Sequence, residues 1–258
     1  MKQGALSKIK EHMKKEGLLK TSIKISNYVF NMIKNKMLQR KILSLKSNED
    51  RFTWIYRNNF WSNRESVSGT GSTFDYTKNI RKELPNLLIR HSIKTIFDAP
   101  CGDFNWMRHV LPSVSVKYIG ADIVKPLIEK LNLNHKSKNV SFVHFDLVKD
   151  TPPKVDLMIC RDCLFHFSFQ DTRSVLENFV RSESKYLLTT THKNVGESFS
   201  NKDISTGDFR FIDLFSKPYR FPIEPIYVID DWMAPEPERQ ICLWDRDQIV
   251  TALRTFQI

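Results

Sequence analysis

The sequence predicts a doubly wound α/β domain: a mostly parallel, seven-stranded sheet with helices on both faces and an antiparallel hairpin near the C-terminus. Two observations carry this reading. Between residues 94 and 192, short apolar runs of strand length alternate with helical patterns, which is the mark of strand–helix–strand units. Beyond them stand two β-rich runs, EPIYVIDD (224–231) and RQICLWDR (239–246), joined by a Pro-rich turn. Such a pair reads as an antiparallel hairpin on one sheet edge. With 258 residues, 41% of them hydrophobic and 27% charged, the chain suits one domain plus an extension.

Each element follows from local pattern. Residues 1–46 hold twelve Lys/Arg against two acids, so nearly all of the net charge of +11 sits there and the remainder is close to neutral. Leu6, Ile9 and Met13 recur at helical spacing, as do Ile25, Val29, Met32 and Ile33, with Gly17 between the two groups. Residues 1–48 are therefore predicted as a basic helical extension and 49–258 as the main domain. The arm has two readings: a surface for anionic lipid or a partner protein, or a helical arm whose apolar stripe packs on the domain.

Residues 51–61 (RFTWIYRNNFW) are aromatic-rich and expected against the core. Residues 62–73 (SNRESVSGTGST) form a polar Gly/Ser-rich loop, a candidate lid. A helix is expected over 74–90 with Ile80, Leu84, Leu87 and Leu88 inward; Pro85 runs against it. The predicted strands are KTIFDA (94–99), KYIGADI (117–123), VSFVHFDL (140–147), VDLMICRD (155–162) and KYLLTTTH (185–192). Between them lie helical patterns at 104–111, 125–134 and 169–182.

Several classes are excluded. No run of about 18 apolar residues offers a membrane-spanning helix, and no secretory signal is expected. Cys101, Cys160, Cys163 and Cys242 are too few for a disulfide scaffold. The lone CxxC at 160–163 has no second pair to complete a zinc site, so reduced thiols in the cytoplasm are expected. A near-neutral domain with a basic arm does not suggest nucleic acid along its working face.

In such sheets ligands bind beyond the carboxyl ends of the strands. Three successive strands end in acids, Asp98, Asp122 and Asp146, at even intervals. Helix capping alone is a poor account of three. The first turn reads Asp98-Ala-Pro-Cys-Gly-Asp-Phe-Asn-Trp, where Gly102 admits close backbone approach. It lacks the GxGxxG of a pyrophosphate loop, and no GxxxxGK phosphate cradle is present, which counts against NAD and ATP. Asp122 is placed to accept two ribose hydroxyls, and Asp146 with Leu147 to meet an adenine.

On FDAPCGDFNWM (97–107), YIGADI (118–123), FDL (145–147), DLMICRDCLFHF (156–167) and YLLTTTH (186–192), the chain resembles the class I S-adenosylmethionine-dependent methyltransferases, which have a Rossmann-like fold. The resemblance covers roughly residues 60 to 246. More narrowly, SVSGTGST (66–73) and NKDISTGDFR (201–210) resemble a bacterial group found with glycosyltransferase and surface-polysaccharide genes. The resemblance implies S-adenosyl-L-methionine as cofactor. It implies that Asp98, Ala99, Cys101 and Gly102 shape a methionine pocket, that Asp122 with Ile123 holds the ribose, and that Asp146 and Leu147 face the adenine. It also implies that Arg161 and Asp162 line the cofactor and acceptor pocket. The first turn departs from the group's commoner Gly-x-Gly by reading Cys-Gly-Asp.

Methyl transfer to oxygen requires alignment and removal of the acceptor proton. Asp162 and His166 stand four apart at the start of the predicted helix after the fourth strand, on one helix face, and His192 ends the neighbouring strand. The expectation is that His166 or His192 is the general base and that Asp162 orients it or the substrate. A divalent metal held by Asp162, His166 and His192 is the alternative, with Phe165 where a second acid would stand. Arg81 is a candidate clamp for the methionine carboxylate. Trp106, Asn201, Asp203 and Arg210 are the candidates for the acceptor. The expected acceptor is a small molecule or glycan, namely a sugar, nucleotide-sugar or glycan end. The arm would touch the inner membrane face or a glycosyltransferase. The rival functions are a nucleic-acid methyltransferase, opposed by the lack of an Asn/Asp-Pro-Pro-aromatic motif after the fourth strand, and a non-catalytic cofactor-binding partner of a glycosyltransferase.

Overall fold

The computed structural model describes residues 36–193, 195, 196 and 198–257, together with Ser26. The chain divides into two compact units, Met1–Leu45 and Lys46–Ile258. In the first, residues 36–43 are helical, and the Ser44 hydroxyl donates to the Lys41 carbonyl at 2.7 Å where the helix ends. The apolar stripes around Leu6–Met13 and Ile25–Ile33 lie outside the described residues.

The second unit holds a seven-stranded sheet. Its strands are β1 (Thr95–Asp98), β2 (Lys117–Asp122), β3 (Val140–His144), β4 (Leu157–Cys160), β5 (Tyr186–His192), β6 (Tyr227–Asp230) and β7 (Arg239–Asp245). Their order is β3-β2-β1-β4-β5-β7-β6. The first five are parallel; β7 runs antiparallel to β5 and to β6. The expected hairpin is therefore present, with its second strand placed inside the first. The order reverses between β1 and β4, and this switch point opens a crevice at the carboxyl ends of the strands.

Around the sheet stand α1 (Asn48–Arg57), α2 (Lys78–Arg90), α3 (Lys125–His135), α4 (Phe169–Arg181) and α5 (Arg246–Thr255). The strands read as continuous apolar runs because both faces are covered. Alternate side chains feed two cores: Phe97, Met158 and Leu187 enter one with Trp244 and Ile249, while Ile96, Leu157, Ile159 and Leu188 enter the other with Leu84 and Leu87.

Pro85 lies inside α2. A proline in a helix interior costs about 3 kcal/mol, but Ile80, Leu84, Leu87 and Leu88 are all buried beneath it, each worth roughly 1.5–3 kcal/mol. Burial wins and the helix continues. Three expectations are corrected. Residues 104–111 form two 3-10 turns, Met107–His109 and Leu111–Ser113, not an α-helix; Phe104 has φ of 59° and Pro112 lacks an amide to continue the ladder. The third strand stops at His144, so Asp146 stands in the following turn rather than on the strand end. After β4 the chain makes a turn at Asp162 (φ 51°) and a 3-10 turn, Leu164–His166; the α-helix begins only at Phe169, where the Ser168 hydroxyl caps it by accepting from the Asp171 amide at 3.0 Å.

Candidate functional site

At the switch point a cavity of about 1060 Å³, its open mouth included, is walled by the loops after β1, β2, β3 and β4, by α1 and by residues 61–72. Asp98, Ala99, Cys101, Gly102, Asp122, Ile123, Asp146, Leu147 and Arg161 all line it, as do Trp106, Asp162 and His166.

The three acids are built differently. Asp98 is buried at the end of β1, where the Tyr118 hydroxyl donates to it at 2.6 Å. Burial pushes its carboxyl up to about 7. Asp122 accepts from the Gly102 amide at 3.2 Å and from the Val124 amide at 3.0 Å, one on each oxygen. Burial still raises it to about 6. Each of its oxygens keeps room for one further donor. Asp146 accepts from the Val148 amide at 3.0 Å and pairs with Lys149 at 3.0 Å. Asp122 and Asp146 therefore do tie down their own turns, while Asp98 caps nothing.

Asp103, the departure in the first turn, has a visible task. Its carboxylate accepts from the Ser66 hydroxyl (3.0 Å), the Val67 amide (3.0 Å) and the Ser68 hydroxyl (3.3 Å). Asn105 adds bonds to Glu65 (2.7 Å) and to the Ser72 carbonyl (3.0 Å). The Gly/Ser-rich loop is thus lashed to the turn after β1. Gly102 has φ of 53°, and a Cβ there would run into the Ser68 side chain, so this glycine admits the loop as well as a ligand. Asp103→Ala is expected to speed hydrogen exchange of the Val67 amide about tenfold, the effect of losing one such bond to a charged acceptor; exchange followed by NMR checks it.

Arg161 lies buried behind Trp106, its guanidinium 5.5 Å from that ring. A two-pronged pair with Asp231, at 2.7 and 3.0 Å, holds it. Asp162 stands 3.4 Å from Arg161 and accepts from Arg239 at 2.7 Å. Two arginines and two aspartates thus alternate in one chain of pairs. Burial alone would raise the Asp162 carboxyl, yet Arg161 and Arg239 hold it below the ordinary carboxylate range. Gly71 sits directly over this pair: a Cβ there would meet Asp162 Oδ2 at 2.6 Å and Arg239 Nη2 at 2.8 Å. Asp231→Ala takes both short bonds from a buried arginine and leaves it only Asp162 at 3.4 Å, and breaking a buried pair costs about 3–5 kcal/mol. A fall in Tm of about 10 °C is expected for a unit of this size, read by thermal melting, with Asp231→Asn losing less.

The histidines divide. His166 donates from Nδ1 to the Asp208 carbonyl at 2.8 Å, since a carbonyl oxygen only accepts. Nε2 therefore carries the lone pair, and no described residue bonds it. Burial keeps the ring neutral by lowering its pKa. His192 is buried and does not line the cavity. Its Nδ1 accepts the Ile212 amide at 3.2 Å, and burial, with Arg239 nearby, drives its pKa down to about 4. Its lone pair is spent, so His192 is corrected from candidate base to a packing residue. Asp162 does not orient His166 either; the Asp208 carbonyl does.

Four further expectations are corrected. Arg81 does not line the cavity: it donates to the Phe74 carbonyl at 2.8 Å and lies over the Phe74 ring at 3.5 Å. Asn201 donates to the Asp213 and Lys217 carbonyls at 2.8 and 2.7 Å. Asp203 accepts from the Phe169 and Ile204 amides at 2.7 and 2.9 Å. Arg210 is buried and donates to the Lys202 carbonyl at 3.1 Å and the Tyr219 hydroxyl at 2.5 Å. These last three stitch the loop after β5, and none of them lines the cavity. The metal reading fails the donor test too. Asp162 is held by arginines, the His192 lone pair is taken, and no group of three His, Cys, Asp or Glu fit for a metal stands among the described residues.

No family model and no curated protein matches the sequence. Solved structures do match. A methyltransferase of Leishmania major, described as S-adenosylmethionine-dependent, is 12% identical with a TM-score of 0.57, covering 81% of this chain and 91% of that one. Magnesium protoporphyrin IX methyltransferase from Synechocystis PCC 6803, with bound S-adenosylmethionine, is 11% identical with a TM-score of 0.54, covering 79% of this chain and 99% of that one. The fold is that of the S-adenosylmethionine-dependent methyltransferases. At such identity the likeness concerns the backbone, and the chemistry rests on this chain's own residues.

On this methyltransferase fold, some cavity residues carried no sequence signal. Asn48, Phe52, Tyr56 and Trp61 enter from α1 and the loop after it. Asp231 and Arg239 come from the far hairpin. Only the aromatic density of 51–61 hinted at the first group.

Proposed function

We propose that this chain transfers a methyl group from S-adenosylmethionine to a hydroxyl of a sugar, nucleotide-sugar or glycan end, with His166 as the general base. One observation carries the cofactor half: three acids after successive parallel strands, two of them buried, line one cavity at the switch point of a methyltransferase-type sheet. The donor set suits a nucleoside sulfonium. Asp122 offers two carboxylate oxygens to the ribose hydroxyls. Ile123, Phe145, Leu147 and Val148 give apolar walls for a flat base, with the Asp146 carboxylate beside them. Asp98, Cys101, Gly102, Trp106 and Arg161 line the remaining wall, where the amino-acid end is placed by this reading.

When bound, S-adenosylmethionine supplies an electrophilic methyl group. The protein then has to align an acceptor and accept its proton. His166 meets the second need: its tautomer is fixed through Nδ1, Nε2 bears the lone pair, and burial keeps it unprotonated at neutral pH. The sugar class is favoured by the resemblance of residues 66–73 and 201–210. The basic arm is proposed to hold the protein at an anionic surface or partner in the cytoplasm; no described helix is long and apolar enough to cross a membrane.

Calorimetric titration with S-adenosylmethionine and S-adenosylhomocysteine is the test. Micromolar binding of both is expected, followed by transfer of labelled methyl to a sugar hydroxyl. Failure of either compound to bind overturns the reading.

A further inference from the structure

Beside the cavity mouth, the segment 209–212 (Phe-Arg-Phe-Ile) alternates sharply in burial. Arg210 and Ile212 are buried, whereas Phe209 and Phe211 are 51% and 43% exposed. This is not a loose loop. The Gly207 amide donates to the His166 carbonyl (2.8 Å), the Arg210 amide to the Phe165 carbonyl (3.1 Å) and the His192 amide to the Ile212 carbonyl (2.8 Å). These bonds fix the backbone with both phenylalanines exposed and in contact with each other.

The rings continue a row that begins in the cavity. Trp61 and His166, both lining residues, have centroids 5.7 Å apart. His166 lies 5.9 Å from Phe209, and Phe209 lies 5.7 Å from Phe211. Phe165 and His192 back the row, 5.5 Å from Phe209 and 5.1 Å from Phe211. A row of aromatic rings thus runs outward from His166, whose Nε2 no described residue bonds. Of the polar residues after β5, Asn201 is bonded to the Asp213 and Lys217 carbonyls and Arg210 is buried, and none of Asn201, Asp203 and Arg210 lines the cavity. Phe209 and Phe211 meet edge to face at 78°, so together they form an apolar corner at this mouth, one ring presenting its face and the other its edge.

We infer that Phe209 and Phe211 hold the acceptor: it is a hydroxyl-bearing six-membered ring that packs its apolar face into the corner between these two side chains and brings a hydroxyl to His166. The inference rests on the methyltransferase reading and deepens it by naming how the acceptor is held. Two sources present this chemistry, a pyranose through its C–H face and a phenol through its π face. Burial lowers the basicity of His166, which suits the more acidic phenol, whereas the C–H face of a pyranose packs against aromatic rings equally well.

Saturation-transfer NMR in the presence of S-adenosylhomocysteine separates them without requiring turnover. Methyl pyranosides form one arm and simple phenols the other, each tested on the full chain and on Phe209→Ser/Phe211→Ser. Ring protons of at least one class are expected to receive saturation in the native protein. In the double variant, affinity for that class should fall about three- to tenfold per ring removed, with S-adenosylhomocysteine affinity unchanged. That unchanged affinity also reports that the variant is folded. The inference is overturned if neither class binds the native protein, or if the double variant binds as the native protein does. A protein that binds neither S-adenosylhomocysteine nor S-adenosylmethionine overturns the cofactor reading instead, and that failure is read from calorimetry independently of the ring probes.

Discussion

Asp122→Ala is expected to weaken S-adenosylmethionine binding by at least about a hundredfold, because two hydrogen bonds to a charged acceptor at about 1.5–3 kcal/mol each are lost. Calorimetric titration measures it. The substitution also frees the Gly102 and Val124 amides that Asp122 now holds, so Asp122→Asn, which keeps one carbonyl acceptor, is the companion variant, with Tm as the check on folding. The pH dependence has a definite sign. In the ligand-free protein burial raises this carboxyl to about 6, while ribose hydroxyls donate to the ionised form and would pull it down. Affinity should therefore be full above that value and fall as pH drops through it, approaching tenfold per unit. Asp98, raised to about 7, adds to the loss on the acid side. In Asp122→Asn the part of this dependence centred near 6 should vanish. Native binding that is flat from pH 7 to 5 would mean that Asp122 does not meet the ligand.

His166→Ala is expected to lower kcat by about 10²- to 10⁴-fold, the usual worth of a positioned general base, while S-adenosylmethionine affinity stays within about twofold. At saturating cofactor the native rate should hold steady above the histidine's pKa, which burial places below the ordinary 6.5, and decline as pH falls through it. That acid limb should be missing in the alanine variant. His192→Ala should leave the limb in place, because its lone pair is already bonded to the Ile212 amide. A His166 variant that keeps full kcat would remove it from the chemistry.

The legible parts of this protein are those governed by local periodicity. Four successive buried residues in β4 and the alternation of Phe97 with Ile96 show up as apolar runs, and α2 is readable from Ile80, Leu84, Leu87 and Leu88 despite Pro85. The strand-end acids could be found because parallel strands deliver their carboxyl ends to one edge. What stayed hidden depends on pairings between distant residues. Nothing local says that Asn201, Asp203 and Arg210 bond the protein's own backbone away from the cavity, or that Arg81 turns towards Phe74. The two histidines look alike in the sequence and differ only through the Asp208 carbonyl and the Ile212 amide. Asp103, which departs from the commoner Gly-x-Gly, is the anchor of the loop at 66–68. The Asp245…Gln248 capping box that starts α5 was a signal available to sequence reasoning and not used.

The placing of β7 between β5 and β6 also bears on synthesis. Arg161 and Asp162 are made well before their partners, Asp231 and Arg239, which arrive with the last two strands. A nascent chain that ends short of residue 231 holds the Arg161 guanidinium without its two-pronged partner, with only the neighbouring Asp162 at 3.4 Å, so water must stay on its remaining N–H groups. The crevice can then close dry only after the C-terminal hairpin has emerged and threaded back beside β5. Cofactor added to translation intermediates stalled before that point should find no finished binding site, although every acid that meets it has already been made.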